Sequence, residues 1–454
     1  MTRLWAYGVA TWFLFVPIAI ALGQAAPGLR VAMQLAGVVI LVIALSKLIP
    51  FSEAQIPWWA VGLGAAAFAF PLLQLISVPF SFWSEIPGRQ FAVASFDVAG
   101  LHPSRMPITL SPAATLGCVL AMLPAFALFL ATLALPTEDR RKLVTVLLGL
   151  GLGSVVLGLA QISQGPESSL YFLKDANFNS AVGLFANRNH FAALLFCCMP
   201  FASAWTIWLV RSGTINGFAA ALGCMLIYGI LVLGLAVAGS RAGIILAMLA
   251  MLSAAFLAWE RSPSKPSDMA SKAIIYGGII GTIVIIEFGL IGILRFAEQD
   301  VIDLKRLEIA KTSLTIAADM APLGSGLGTF VPVYGMYETP QTLGAGLVNY
   351  AHNDWLQLWL EGGVGAAVLL GLFVLWYFAR TFYVWRRGGN DIDDLLRRAA
   401  SLAVALLMVH SIVDYPLRST ALMCVFAMAC GLMASTTASR PTRRSMASAQ
   451  WRSA

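Results

Sequence analysis

Apolar runs of about 20 residues alternate with polar breaks along almost the whole chain, a pattern that predicts helices long enough to cross a bilayer. The runs fall at 5–23, 29–49, 57–79, 112–135, 143–163, 187–210, 217–238, 242–259, 273–294, 362–385, 399–414 and 419–436. About twelve spans are therefore expected, within a single polytopic domain over residues 1–454. The first run follows Thr2 and Arg3 and precedes small residues near Ala25, as a signal peptide would. It is long for a signal sequence and reads as an uncleaved span. Spans of this kind satisfy their backbone groups internally, so the expected fold class is an all-α integral membrane protein and not a barrel.

The polar breaks give the chain a direction. Arg140, Arg141 and Lys142, then Arg261 with Lys265 and Lys272, then Arg386 and Arg387 with Arg397 and Arg398, then Arg440 with Arg443 and Arg444, occupy alternate breaks. The positive-inside rule assigns these to the cytoplasm, together with both termini and the basic tail 437–454. Two longer segments, 80–111 and 295–353, are left facing outward, which in a bacterium is the periplasmic side of the inner membrane. Long segments between short connectors are where function tends to sit.

Composition then excludes other classes. With 59% hydrophobic and 11% charged residues and a mean hydropathy of +0.81, the chain cannot clothe a soluble globule. The net charge of +7 follows from the loop asymmetry and calls for no nucleic acid. Six cysteines, at 118, 197, 198, 224, 424 and 430, lie inside apolar runs without metal-ligand spacing and read as small core residues.

Candidate chemistry centres on NYAHNDWLQLWLEGG at 349–363, where a polar loop meets an apolar helix. His352 precedes the helix, and Asp354 with Gln357 three residues on reads as a capping box. An imidazole beside a helix N-terminus stays neutral and able to accept a proton. The alternative is a polar residue that merely marks the interface. All four histidines, His102, His190, His352 and His410, fall on the outward side. Arg241, in AGSRAG, stands at an outward junction where the positive-inside rule would not put an arginine, and its flanking glycines allow backbone or ligand to approach closely.

Residues 301–320 predict an amphipathic helix with Lys305, Arg306 and Lys311 on its polar side, ended by Pro322. The following LGSGLGTF lacks the lysine of a phosphate-binding loop and reads as a tight turn returning to the membrane surface. Asn187, Arg188 and His190 either contact a sugar or a lipid pyrophosphate or simply cap the sixth span. His410 and Asp414 share one helix face, as an acid–base pair or as a structural contact that pins the next turn with Arg418. Glu287 is expected to be the only carboxylate well inside a span. Trp58, Trp59, Trp205, Trp208 and Trp385 suit an interfacial belt.

These stretches carry a resemblance. GSRAG, the run from Arg306 through APLGSGLGTF to AHNDWLQLWLEGG, VGLFANRNHFAALL at 182–195 and HSIVDYPLRS at 410–419 resemble, in order, the O-antigen ligase and polymerase superfamily of bacterial membrane glycosyltransferases. The likeness covers residues 180–420, and Trp355 departs from it where the family often has leucine. It implies a GT-C type fold with short helices in the periplasmic loop. It also implies transfer of a glycan from undecaprenyl pyrophosphate to an acceptor sugar, on lipid A core or a growing polysaccharide, at the periplasmic face. The family's functional histidine and two arginines fall on His352, Arg241 and Arg306.

On that basis His352 is expected to act as general base and the two arginines to clamp pyrophosphate, in a single inverting displacement without a cofactor or metal. Asn353, His410, Asp414 and Arg418 join Asn187, Arg188 and His190 as candidate substrate contacts. The competing class is a transporter or flippase of lipid-linked sugar, which would place its ionisable groups at the membrane midplane within internal repeats. No repeat is evident, and the polar residues crowd the outward side. The sequence does not separate ligation from polymerisation, although the 182–195 and 410–419 stretches resemble exopolysaccharide-linked members most.

Overall fold

A computed structural model describes residues 2–22, 27–48, 57–173, 177–259, 275–276, 279, 300–339, 347–387, 389 and 391–435. All of the expected span 273–294 except residues 275, 276 and 279, and with it Glu287, lies outside the described residues, as do the tail 437–454 and the basic residues between 261 and 272. The chain is an all-α integral membrane protein. Its helices are α1 (Thr2–Leu22), α2 (Pro27–Leu48), α3 (Trp58–Gln74), α4 (Phe80–Trp83), α5 (Gln90–Val98), α6 (Pro112–Ala134), α7 (Thr137–Gln164), α8 (Arg188–Arg211), α9 (Gly217–Ala238) and α10 (Arg241–Trp259). There follow α11 (Asp300–Asp319), α12 (Phe330–Gly335), α13 (Asp354–Arg386), α14 (Ile392–Val413), a 3-10 turn (Pro416–Arg418) and α15 (Thr420–Ala434). Nine helices among the described residues are long and apolar enough to cross a membrane, and α3 and α15 are shorter apolar helices. The expected twelve spans are thus matched by eleven apolar helices among the described residues.

Burial ranks these helices. In α8 78% and in α14 67% of the apolar stretch is buried, against 22% in α2, so α8 and α14 form the interior posts and α2 is the most exposed of these nine helices. In lipid, helices associate by close packing and not by hydrophobic transfer, and small residues provide the contacts. Gly243 of α10 meets Ala192, and Gly151 of α7 meets Cys198, each so closely that an added Cβ would collide. The five cysteines at 197, 198, 224, 424 and 430 are buried and free, in keeping with a packing role.

Each helix that frames the site starts on a built cap. Asn187 caps α8 by accepting from Asn189 N. Gly239, with φ of 61°, ends α9 in the left-handed conformation, and Ser240 Oγ then accepts from Gly243 N at 3.0 Å to start α10. The glycines of AGSRAG therefore serve a helix end and a helix contact, and the approach they allow is that of backbone.

The two long segments meet at one end of the bundle. Strands β1 (Ser77–Pro79) and β2 (Arg105–Pro107) pair antiparallel at the base of the first, in the register Ser77 to Pro107, Val78 to Met106 and Pro79 to Arg105. Arg89, fully buried, donates to Ile108 O at 2.7 Å and to Gly324 O at 3.0 Å, tying the first segment to the second. Burial lowers its pKa to about 10, which still leaves it charged.

The glycine-rich turn after α11 has φ of 76°, 112° and 86° at Gly324, Gly326 and Gly328. It does not simply lie at the surface: it docks into a kink of α13 at Gly363, where φ is 56°. Gly326 N donates to Glu361 O at 2.8 Å and Val364 N to Pro322 O at 2.8 Å, so the turn repairs the broken helix ladder. A Cβ on Gly363 would lie 2.0 Å from Pro322 O.

At the opposite end sit Arg140, Arg141, Lys142, Arg386, Arg387, Arg397 and Arg398. Arg140 donates to the last carbonyls of α6, Thr132 O at 3.1 Å and Leu133 O at 3.3 Å, where helix polarity favours a cation. Single cysteines placed at Ser104 and at Thr339 should therefore react with an impermeant maleimide from outside the cell, and one at Ser212, at the basic end, should not. The reverse pattern would turn the bundle over.

Candidate functional site

The starts of α8, α10 and α13 and the end of α14 converge at the loop-bearing end. His352 lies immediately before Asn353, which is the cap of α13: its side chain accepts from Leu356 N at 2.9 Å. The cap is one residue earlier than the expected box of Asp354 and Gln357. Asp354 instead turns inward, where Oδ2 accepts from Ser411 Oγ at 2.9 Å and Leu417 N at 3.1 Å. Gln357 accepts from Ala351 N at 3.1 Å.

His352 Nδ1 stands 3.5 Å from Asp414 Oδ1, with the histidine side chain 28% exposed and the aspartate fully buried. One edge of the ring thus faces a fixed carboxylate. Asp414 is held in turn by Asn189, whose Nδ2 donates to Oδ2, and Ser240 Oγ donates to Asn189 Oδ1 at 2.7 Å. Burial alone would raise the Asp414 carboxyl. Contact with His352, the nearby His190 and His410 rings and the Asn189 amide more than offset this and hold it well below the usual carboxylate range.

Three of the four histidines gather here. His190 packs edge-on against Tyr415 at 4.9 Å, His352 does so at 5.0 Å, and Tyr350 stacks on Tyr415 at 4.2 Å. His410 lies 3.8 Å from Asp414 and has no exposed side-chain surface. His102 stays exposed in the first long segment.

Arg188 and Arg241 are the first residues of α8 and α10, so both guanidinium groups start from helix N-termini. Arg306 of α11 joins them: its charge acts on Arg188, on Tyr415 and on His410. All three arginines are half-buried. Three like charges drawn together, two of them at positive helix ends, make a place for a polyanion.

Several candidate substrate contacts are spent on structure. Asp414 and His410 are buried beyond reach of a substrate, and Asn353 is a cap. Arg418 does not pin Asp414; it pairs with Asp354 at 3.3 Å and Glu361 at 2.7 Å. Burial works against its charge, and the Glu361 and Asp354 carboxylates more than restore it, raising its pKa above the ordinary arginine value. Glu361 is fully buried at the loop-side end of α13, just before the Gly363 break. Asn189 and Glu361 were not among the sequence candidates and Gln357 was read only as part of a capping box, although all three sit in the NRNH and NDWLQLWLEGG stretches.

A cavity of about 1200 Å³ adjoins this cluster. Asn187, His190 and Tyr415 line its polar end, while Phe126, Phe373 and Phe426 line it near the middle of their helices. His352, Arg241 and Arg306 are not in its walls. His352 packs edge-on against Tyr415, a residue of the cavity wall.

Comparison with known proteins gives one family: residues 226–374 match the model described as O-antigen ligase. The matched stretch holds Arg241, Arg306 and His352, while Arg188, Asn189, Asp414 and Arg418 lie outside it. No curated protein matches the chain.

Proposed function

Through residues 226–374 the chain belongs to the O-antigen ligase superfamily, and we propose that it is a periplasm-facing glycosyltransferase of GT-C type in the bacterial inner membrane. The donor is a glycan on undecaprenyl pyrophosphate, and the acceptor is a sugar of lipid A core or of a growing polysaccharide. The observation that carries this reading is His352, facing a buried Asp414, beside three neighbouring arginines, two of which open helices.

The acceptor hydroxyl loses its proton to His352 Nε2 as its oxygen bonds to the anomeric carbon. The bond from that carbon to the pyrophosphate oxygen breaks, and undecaprenyl pyrophosphate leaves with the electron pair. Asp414 acts through the imidazole: it fixes the ring's orientation and tautomer and stabilises the imidazolium that forms. Arg241 and Arg306, with Arg188, meet the pyrophosphate, whose charge is present before transfer and grows during it. The apolar cavity receives the polyprenyl chain, since a lipid attached directly to the pyrophosphate must start close to the arginines.

Purified protein with lipid-linked donor and acceptor should transfer glycan in excess EDTA, because arginine in place of a metal neutralises the leaving group. Activity that vanishes on chelation and returns with Mg²⁺ would remove the clamp. In a deletion strain, core lacking surface polysaccharide identifies a ligase and core bearing single repeat units a polymerase.

A further inference from the structure

His352 is the one non-glycine residue with positive φ among those described, at 52°. A side-chain-bearing residue persists in this conformation only where its surroundings over-determine it. The restraint can be traced on both sides. After His352, the Asn353 cap and the bond from Asp354 N to Asp414 O at 3.3 Å hold the chain. Before it, Ala351 N donates to Gln357 Oε1 at 3.1 Å, and Gln357 Nε2 donates to Glu361 Oε1 at 3.1 Å.

Glu361 is itself immobilised. Arg418 Nη1 donates to Oε2 at 2.7 Å and Phe330 N to Oε1 at 3.1 Å. Gln357 is 2% exposed and Glu361 fully buried, so neither amide nor carboxylate can exchange these partners for water. A rigid strut therefore runs from the Arg418 and Glu361 pair through one glutamine amide to the residue before His352.

The geometry points to Gln357 as a positioning residue for glycosyl transfer: it holds the bend at Ala351 and His352 so that the imidazole faces Asp414. This rests on the reading of His352 as the base. Gln357 also borders the cavity, so donor binding must be followed separately from chemistry.

The test is a double-mutant cycle of Gln357→Met and His352→Ala, with single-turnover rate, donor affinity and detergent melting temperature measured for each protein. Gln357→Met should slow transfer by about tenfold or more, as misplacement of a catalytic group does, with donor affinity held within about twofold. In the His352→Ala background the same change should cost nothing further, because there is no longer a base to position. Equal slowing in both backgrounds would make the glutamine merely structural and overturn the proposal, as would an unslowed Gln357→Met enzyme. If His352→Ala is itself near wild type, it is the base assignment that fails. Should Gln357→Met not accumulate in the membrane, Gln357→Asn, which keeps the amide on too short an arm, carries the same comparison.

Discussion

His352→Ala is expected to stay folded in the membrane and to bind undecaprenyl-pyrophosphate glycan normally, while its transfer rate falls by a factor on the order of a hundred or more, the scale of general-base catalysis. The ring is 28% exposed and its only close polar partner among the described residues is Asp414, so its removal opens little of the core. Asp414→Asn should show a loss of the same kind with the imidazole still present, because the amide orients the ring without stabilising its charge.

The pH dependence of Asp414 follows from its surroundings. Its carboxyl is held below the usual range and stays ionised at neutral pH. The sign for stability follows: a depressed carboxyl contributes stability above its unfolded value and loses it only as pH falls through the lower folded value. Mild acid should therefore leave the contribution of Asp414 to stability in place. A His352→Ala protein with near wild-type single-turnover rate would refute the base.

Helices were legible because lipid removes alternatives: a run of apolar residues has no other way to satisfy its backbone. Eleven of the expected runs appear as helices with small boundary shifts, and α11 lies where its period placed it. What could not be read is what depends on partners far apart in sequence. Asp354 looked like a cap because a cap is local, yet its carboxylate serves Ser411, Leu417 and Arg418, more than fifty residues away. The break at Gly363 was likewise not legible, because the docked turn from Pro322 to Gly326 that repairs it comes from nearly forty residues earlier in the chain.

Of the proposed site, His352, Arg241 and Arg306 were singled out by motif and expected membrane side, both properties of the sequence. The role of Asp414 was not. Its spacing to His410 and Arg418 suggested partners on its own element, whereas its functional neighbour is on another, brought there by the bond from Asp354 N to Asp414 O. Helical spacing says which side chains share a face, and it is silent on what that face meets.

The arginines should respond differently from the histidine. Arg306→Ala should weaken donor binding and turnover together, because the pyrophosphate charge it meets is present in the ground state and increases as the anomeric bond breaks. A loss of about tenfold in each is the scale of a charge-assisted contact removed from a partly desolvated site. Arg241→Lys is the sharper variant: lysine keeps the positive charge but not the planar fork, so it should recover donor binding in part and turnover hardly at all. Both residues sit at the surface of the cluster and are half-buried, so neither change leaves a cavity in the packed interior. Donor affinity and single-turnover rate at matched membrane levels decide the matter. An Arg306→Ala enzyme that binds donor like wild type but turns over slowly would place this arginine on the acceptor, and an Arg241→Lys enzyme of full activity would show that charge alone suffices there.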